Sequence, residues 1–109
     1  VHVGHDCVLG DDVTASPGAR FGGHSRVHHG ATIGMGAGLH QRSTVGAFAM
    51  VGMGAIVTRD VPPFATVAGV PARFLDWNET GLHRVTETDS WARAFLDDSR
   101  RSRIQVPLL

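Results

Sequence analysis

An apolar residue returns at every sixth position along the first half of the chain: Val3, Leu9, Ala15, Phe21, Val27, Ile33, Leu39, Val45, Val51 and Val57. A small or β-branched residue stands two places before each successive one (Cys7, Val13, Ala19, Ser25, Ala31, Ala37, Ser43, Ala49, Ala55), and Val61 continues that series. Glycine often follows the apolar position, as at Gly4, Gly10, Gly22, Gly34, Gly46 and Gly52. A period of six matches neither the three-and-four spacing of a helix nor the alternation of an ordinary strand. It predicts a parallel β-helix of hexapeptide repeats, in which three short strands and three corners complete a coil of about eighteen residues.

In that register the apolar residue points into the tube. Stacked coils then bring equivalent residues within about 4.8 Å of one another. Three ladders are expected: Val3, Phe21, Leu39 and Val57; Leu9, Val27 and Val45; Ala15, Ile33 and Val51. The small residues fit tight corners, and the glycines after the inward positions supply backbone conformations that other residues resist. Parallel crossovers are nearly always right-handed, and nothing in the spacing departs from that rule.

Composition narrows the classes of function. The chain has 109 residues, 42% hydrophobic, with ten basic and ten acidic side chains. That suits one domain and leaves no basic footprint for nucleic acid or an anionic membrane. No run of about eighteen apolar residues and no charged-then-apolar leader is present, so no transmembrane segment or signal peptide is visible and a cytoplasmic setting is expected. The chain starts without methionine, two residues before an inward position, as a C-terminal piece of a longer solenoid would. Cys7 is the single cysteine and sits at a small inward corner position, so it is read as a packed residue rather than a nucleophile.

The seven histidines carry the chemistry. Counted from the start of each coil, His5, His24 and His40 occupy its third, fourth and second places on three successive coils, and His2 lies just before the same corner. They are expected to stack as one imidazole patch, suited to general-base work, substrate hydrogen bonding or metal ligation. His28 and His29 fall at another phase, which weakens a zinc site built from His24 and His28.

The runs His2-Val3-Gly4-His5-Asp6-Cys7, Gly22-Gly23-His24 and Leu39-His40-Gln41 resemble the acyl-ACP:UDP-N-acetylglucosamine O-acyltransferases, the first enzymes of lipid A synthesis. Asp60-Val61-Pro62-Pro63-Phe64 and the run from Asn78 to Arg84 extend the likeness. The resemblance implies a left-handed β-helix, a homotrimer with sites between adjacent subunits, and transfer of a 3-hydroxyacyl group from acyl carrier protein to the sugar 3-hydroxyl, with no cofactor and no metal. His5 would be the general base, Asp6 the carboxylate that orients it, and the Gly23 amide an oxyanion donor. His2, His24, His40, Gln41 and Asn78 match substrate-binding positions. Arg84 matches a phosphate contact, and Met53 the position that measures the far end of the acyl chain.

Three regions are expected: the β-helix over 1–62, an exit loop over 63–77 and a short helical extension over 78–109. In the last, Ser90 to Arg101 reads as one helix with Trp91, Phe95 and Leu96 on a face. Arg100, Arg101 and Arg103 are the one cluster able to replace the family's basic carrier-protein surface, although such a run more commonly marks a solvated helix end. The run Ala68-Gly69-Val70-Pro71-Ala72-Arg73 resembles the exit loop of acetyl-coenzyme A-dependent hexapeptide acetyltransferases, which makes such an enzyme the first alternative. A zinc protein resembling γ-class carbonic anhydrases and a non-catalytic trimer are the others.

Overall fold

The computed structural model describes residues 1–80. The strands are β1 (His2–Val3), β2 (Val8–Leu9), β3 (Thr14–Ala15), β4 (Arg20–Phe21), β5 (Arg26–Val27), β6 (Thr32–Ile33), β7 (Gly38–Leu39), β8 (Thr44–Val45), β9 (Met50–Val51), β10 (Ile56–Val57), β11 (Ala65–Ala68) and β12 (Arg73–Trp77). Each of the first ten is two residues long, because the chain turns a corner as soon as one outward and one inward residue have been placed. They assemble into three parallel faces, β1-β4-β7-β10, β2-β5-β8 and β3-β6-β9, the last continued by β11 and β12. This is the expected left-handed parallel β-helix.

The three predicted ladders are present in register. Val3 pairs with Phe21, Phe21 with Leu39 and Leu39 with Val57. Leu9, Val27 and Val45 form the second ladder, and Ala15, Ile33 and Val51 the third. Phe21, Ile33, Val45 and Val57 are buried in the tube, and Ala19, Ala31, Ala37, Ala49 and Ala55 are buried at its corners. Burying each Val or Ile contributes about 1.5–3 kcal/mol relative to exposure. In the first coil Val3 and Leu9 remain 46% and 41% exposed, since no described coil covers them.

Two expectations about the repeat are corrected. The glycines after the inward residues do not serve backbone freedom. An added Cβ at Gly22 would meet the Gln41 nitrogen at 2.6 Å and the Leu39 oxygen at 2.8 Å, so glycine is required by the close approach of the next coil. Positive φ falls two residues later, at Asp6, Asp12, Gly18, His24, Gly30, Gly36, Arg42, Phe48 and Gly54.

The second correction concerns the exit. Val61 is an inward residue bridged to Val45, sixteen residues away instead of eighteen. The Asp60 carboxylate accepts the Thr44 N–H at 2.9 Å, and Val61 N–H donates to the Thr44 carbonyl at 2.8 Å, which draws the shortened coil into place. Residues 63–77, expected as an exit loop, carry β11 and β12. β11 pairs parallel to β9 and antiparallel to β12, so this segment prolongs one face. Its alternating burial puts Ala65 and Val67 in the core. The helix expected over Ser90 to Arg101 and the Arg100, Arg101 and Arg103 cluster lie outside the described residues.

Candidate active site

The corner between β1 and β2 and the one below it, between β4 and β5, form the site. Their equivalent residues are eighteen apart: Gly4 with Gly22, His5 with Gly23, Asp6 with His24. Asp6 and His24 both occupy the left-handed region, with φ of 58° and 61°. Aspartate and histidine enter this region more readily than most residues. The shared conformation turns both side chains to the same side of the corner, and the coils are tied there by the His24 N–H donating to the His5 carbonyl at 2.9 Å.

The resulting cluster is tight. His5 Nδ1–H donates to Asp6 Oδ2 at 3.0 Å, and His24 Nε2 lies 3.4 Å from the same oxygen. The two imidazoles meet edge to face, with centroids 5.0 Å apart. The Asp6 carboxyl is held below its ordinary value of 3.8, first by the hydrogen bond from His5 and then by the charge of His24. With Nδ1 committed to the carboxylate, a neutral His5 ring keeps its lone pair on Nε2. That atom faces Gly23: a Cβ there would stand 3.2 Å from it. Among the described residues the Gly23 N–H has no backbone acceptor, while its carbonyl receives the Arg42 N–H at 3.0 Å.

An open groove of about 470 Å³ runs from this corner across the outer face of β1-β4-β7-β10, lined among others by His2, His5, Gly23 and His40. The predicted stack of His2, His5, His24 and His40 is therefore brought together around one corner. Gln41 is the coil-equivalent of His5 and Gly23 and is exposed beside His40, whose Nδ1–H donates to the Gln41 carbonyl at 3.2 Å. Sequence reasoning missed Arg20 and Ile56, which also line the groove. Their signal was available: each immediately precedes an inward residue on the same face as His2.

Other predicted residues lie elsewhere in the chain. Met53 is 76% exposed at the corner between β9 and β10. Asn78 donates its side-chain amide to the Phe48 carbonyl at 2.8 Å, at the corner between β8 and β9. Arg84 lies outside the described residues. His29 packs edge-on against Phe48 at 5.2 Å, and His28 lines a different groove with Asp60, Pro62 and Pro63, so His28 is not placed with His24. Cys7 is half-buried, and its thiol donates to the Gly22 carbonyl at 3.2 Å, as a packed small residue would. Atoms of His5, Asp6 and His24 capable of metal ligation lie within 4.8 Å of one another.

Comparison with known proteins gives this corner its context. No protein-family model matches the chain. The acyl-[acyl-carrier-protein]–UDP-N-acetylglucosamine O-acyltransferase of Thiobacillus denitrificans is 40% identical over 84 residues, covering 77% of this chain and 33% of that protein. The solved UDP-N-acetylglucosamine acyltransferase of Arabidopsis superposes with a TM-score of 0.80 at 28% identity, over 96% of this chain and 36% of that one. The chain belongs to the hexapeptide-repeat acyltransferase superfamily. It spans about a third of the length of the curated relatives it matches. A second branch of the superfamily is also similar: the acetyltransferase domain of PglB from Neisseria gonorrhoeae, solved with acetyl coenzyme A, has a TM-score of 0.64 at 44% identity, over 65% of this chain and 35% of that one.

Proposed function

We propose that the His5 corner is the acyl-transfer site of an O-acyltransferase that moves a 3-hydroxyacyl group from acyl carrier protein to the 3-hydroxyl of UDP-N-acetylglucosamine. The observation that carries this reading is the pairing of His5 Nδ1–H with Asp6 at 3.0 Å, which leaves Nε2 directed over Gly23. A sugar hydroxyl is a poor nucleophile until its proton leaves, and an oriented imidazole can take that proton as attack proceeds. The hydroxyl oxygen then bonds to the thioester carbonyl carbon, and the developing oxyanion accepts from the Gly23 N–H. Donors of this kind are worth about 3 kcal/mol of barrier. Collapse breaks the carbon–sulfur bond, and the carrier-protein thiolate leaves with the proton that Nε2 returns.

The surrounding residues take binding roles in this reading. His2, His24, His40 and Gln41 hold the nucleotide sugar and acyl donor around the groove, and Arg84 contacts phosphate. A homotrimer with sites between subunits would bring other corners of a neighbour, where Met53 and Asn78 lie, to the His5 corner. Met53 would then end the acyl pocket and favour a shorter chain, and Asn78 would contact substrate. In this reading the setting is the cytoplasm. No helix among the described residues is long and apolar enough to cross a membrane.

The likeness to the PglB acetyltransferase domain and the Ala68-to-Arg73 run favour a second reading, acetyl-coenzyme A-dependent transfer on the same corner. Product analysis with UDP-N-acetylglucosamine and a panel of 3-hydroxyacyl carrier proteins or acetyl-coenzyme A separates the two. Carrier-protein-dependent 3-O-acylation is the expected result. Product formed only with acetyl-coenzyme A would overturn the first reading in favour of the second.

A further inference from the structure

The outer side of β1-β4-β7-β10 carries one register row: His2 beside Arg20, Arg20 beside Gly38, and Gly38 beside Ile56. Successive members are about 4.8 Å apart. Each directly precedes an inward residue, so the whole row faces the groove that reaches His5 and His40. Gly38 contributes no side chain, and the Arg20 guanidinium lies over the gap it leaves. The point where a Gly38 Cβ would stand is 3.8 Å from Arg20 Nη2 and 3.2 Å from Ile56 Cδ1. The groove floor thus lies between a cation and an apolar wall.

Arg20 has no carboxylate partner among the described residues. Asp6 is paired with His5 and His24, and Asp12 with His29. Asp6, at the corner this groove reaches through His5, is taken by the two imidazoles. A guanidinium is always charged, offers five donors in a planar fork, and matches the oxygens of a phosphate two at a time.

We infer that Arg20 forms an anion subsite of the groove, binding the phosphate or diphosphate ester of a substrate. The inference rests on the acyl-transfer reading for the two substrates that carry such a group: the diphosphate of the nucleotide sugar, and the phosphodiester in the prosthetic arm of the carrier protein. It makes Arg20 a determinant of binding, with no part in proton transfer.

The test uses the full chain and the variants Arg20→Ala, Arg20→Gln and Arg20→Lys. Calorimetry measures binding of UDP-N-acetylglucosamine and of free N-acetylglucosamine, and steady-state kinetics give KM for each substrate. Arg20→Ala is expected to raise either the Kd and KM of the nucleotide sugar or the KM of the carrier-protein donor about tenfold. Binding of the uncharged sugar and kcat should hold, salt dependence should weaken, and Arg20→Lys should recover part of the loss. Which substrate responds identifies the source of the phosphate. Arg20 is exposed, so the variants should keep the wild-type unfolding midpoint; Arg20→Gln supplies the measurement if alanine does not fold. Unchanged KM for both substrates in an active Arg20→Ala or Arg20→Gln enzyme overturns the subsite alone. Arg20-dependent binding of the nucleotide sugar without any acyl transfer sustains the subsite and overturns the acyl-transfer reading.

Discussion

With its Nδ1–H on the Asp6 carboxylate at 3.0 Å, the His5 ring presents Nε2 to Gly23, and the pair depends on Asp6 remaining ionised. Asp6 titrates below 3.8 in the folded chain and near its ordinary value when unfolded. A depressed folded pKa favours the ionised form in the folded state, so its contribution to stability is present above the unfolded value and disappears as pH falls through the folded one. Asp6→Asn should therefore lower the thermal midpoint at neutral pH, and the two midpoints should converge in acid below pH 3.8. A gap that persists undiminished in acid would show that the Asp6 charge is not what stabilises the corner. The grouping of His5, His24 and His40 was legible because residues of nearly equal phase in successive eighteen-residue coils share a corner. Asp6 stacks on His24 by the same spacing, but the 3.4 Å approach of their side chains was not legible, because it depends on two adjacent left-handed corners and nothing in the hexad names the left-handed position. Arg20 was legible in register, one place before the inward Phe21 on the face of His2, but an outward arginine on a two-residue strand reads as solvated surface.

The hexad divides its glycines between two physical tasks, and substitution can separate them. Gly22 is at a coil contact, where an added methyl meets backbone at 2.6 Å. Gly36 has φ of 70° and nothing within 4 Å of its would-be Cβ. Chemical denaturation of Gly36→Ala should show a loss of about 1 kcal/mol from left-handed backbone alone. Gly22→Ala should lose more, about 1–3 kcal/mol, because the neighbouring coil has to shift. Equal losses would contradict the assignment of separate roles. At this scale the inward ladders were readable to the residue, since burial enforces the six-residue period. The sixteen-residue coil and the β11–β12 hairpin were not, because Pro62, Pro63 and Pro71 read locally as loop punctuation while pairing with Val45 and β9 comes from tertiary register.

Across the whole molecule, the prism places its chemistry on separate corners: the His5 cluster on one, Met53 on a second, and Asn78 with Phe48 and Phe64 on the third. Threefold association is the arrangement that would bring different corners together, so light scattering is expected to give three times the mass of one chain. A monomer with full activity would contradict a site shared between subunits. The central claim is that His5 is the base of acyl transfer, and the most direct test is the turnover of His5→Ala against wild type, with matched oligomeric mass and unfolding midpoint. Loss of the base predicts a fall in kcat of about two to four orders of magnitude with the assembly intact. Turnover equal to the wild-type value would remove His5 from the mechanism and the account with it.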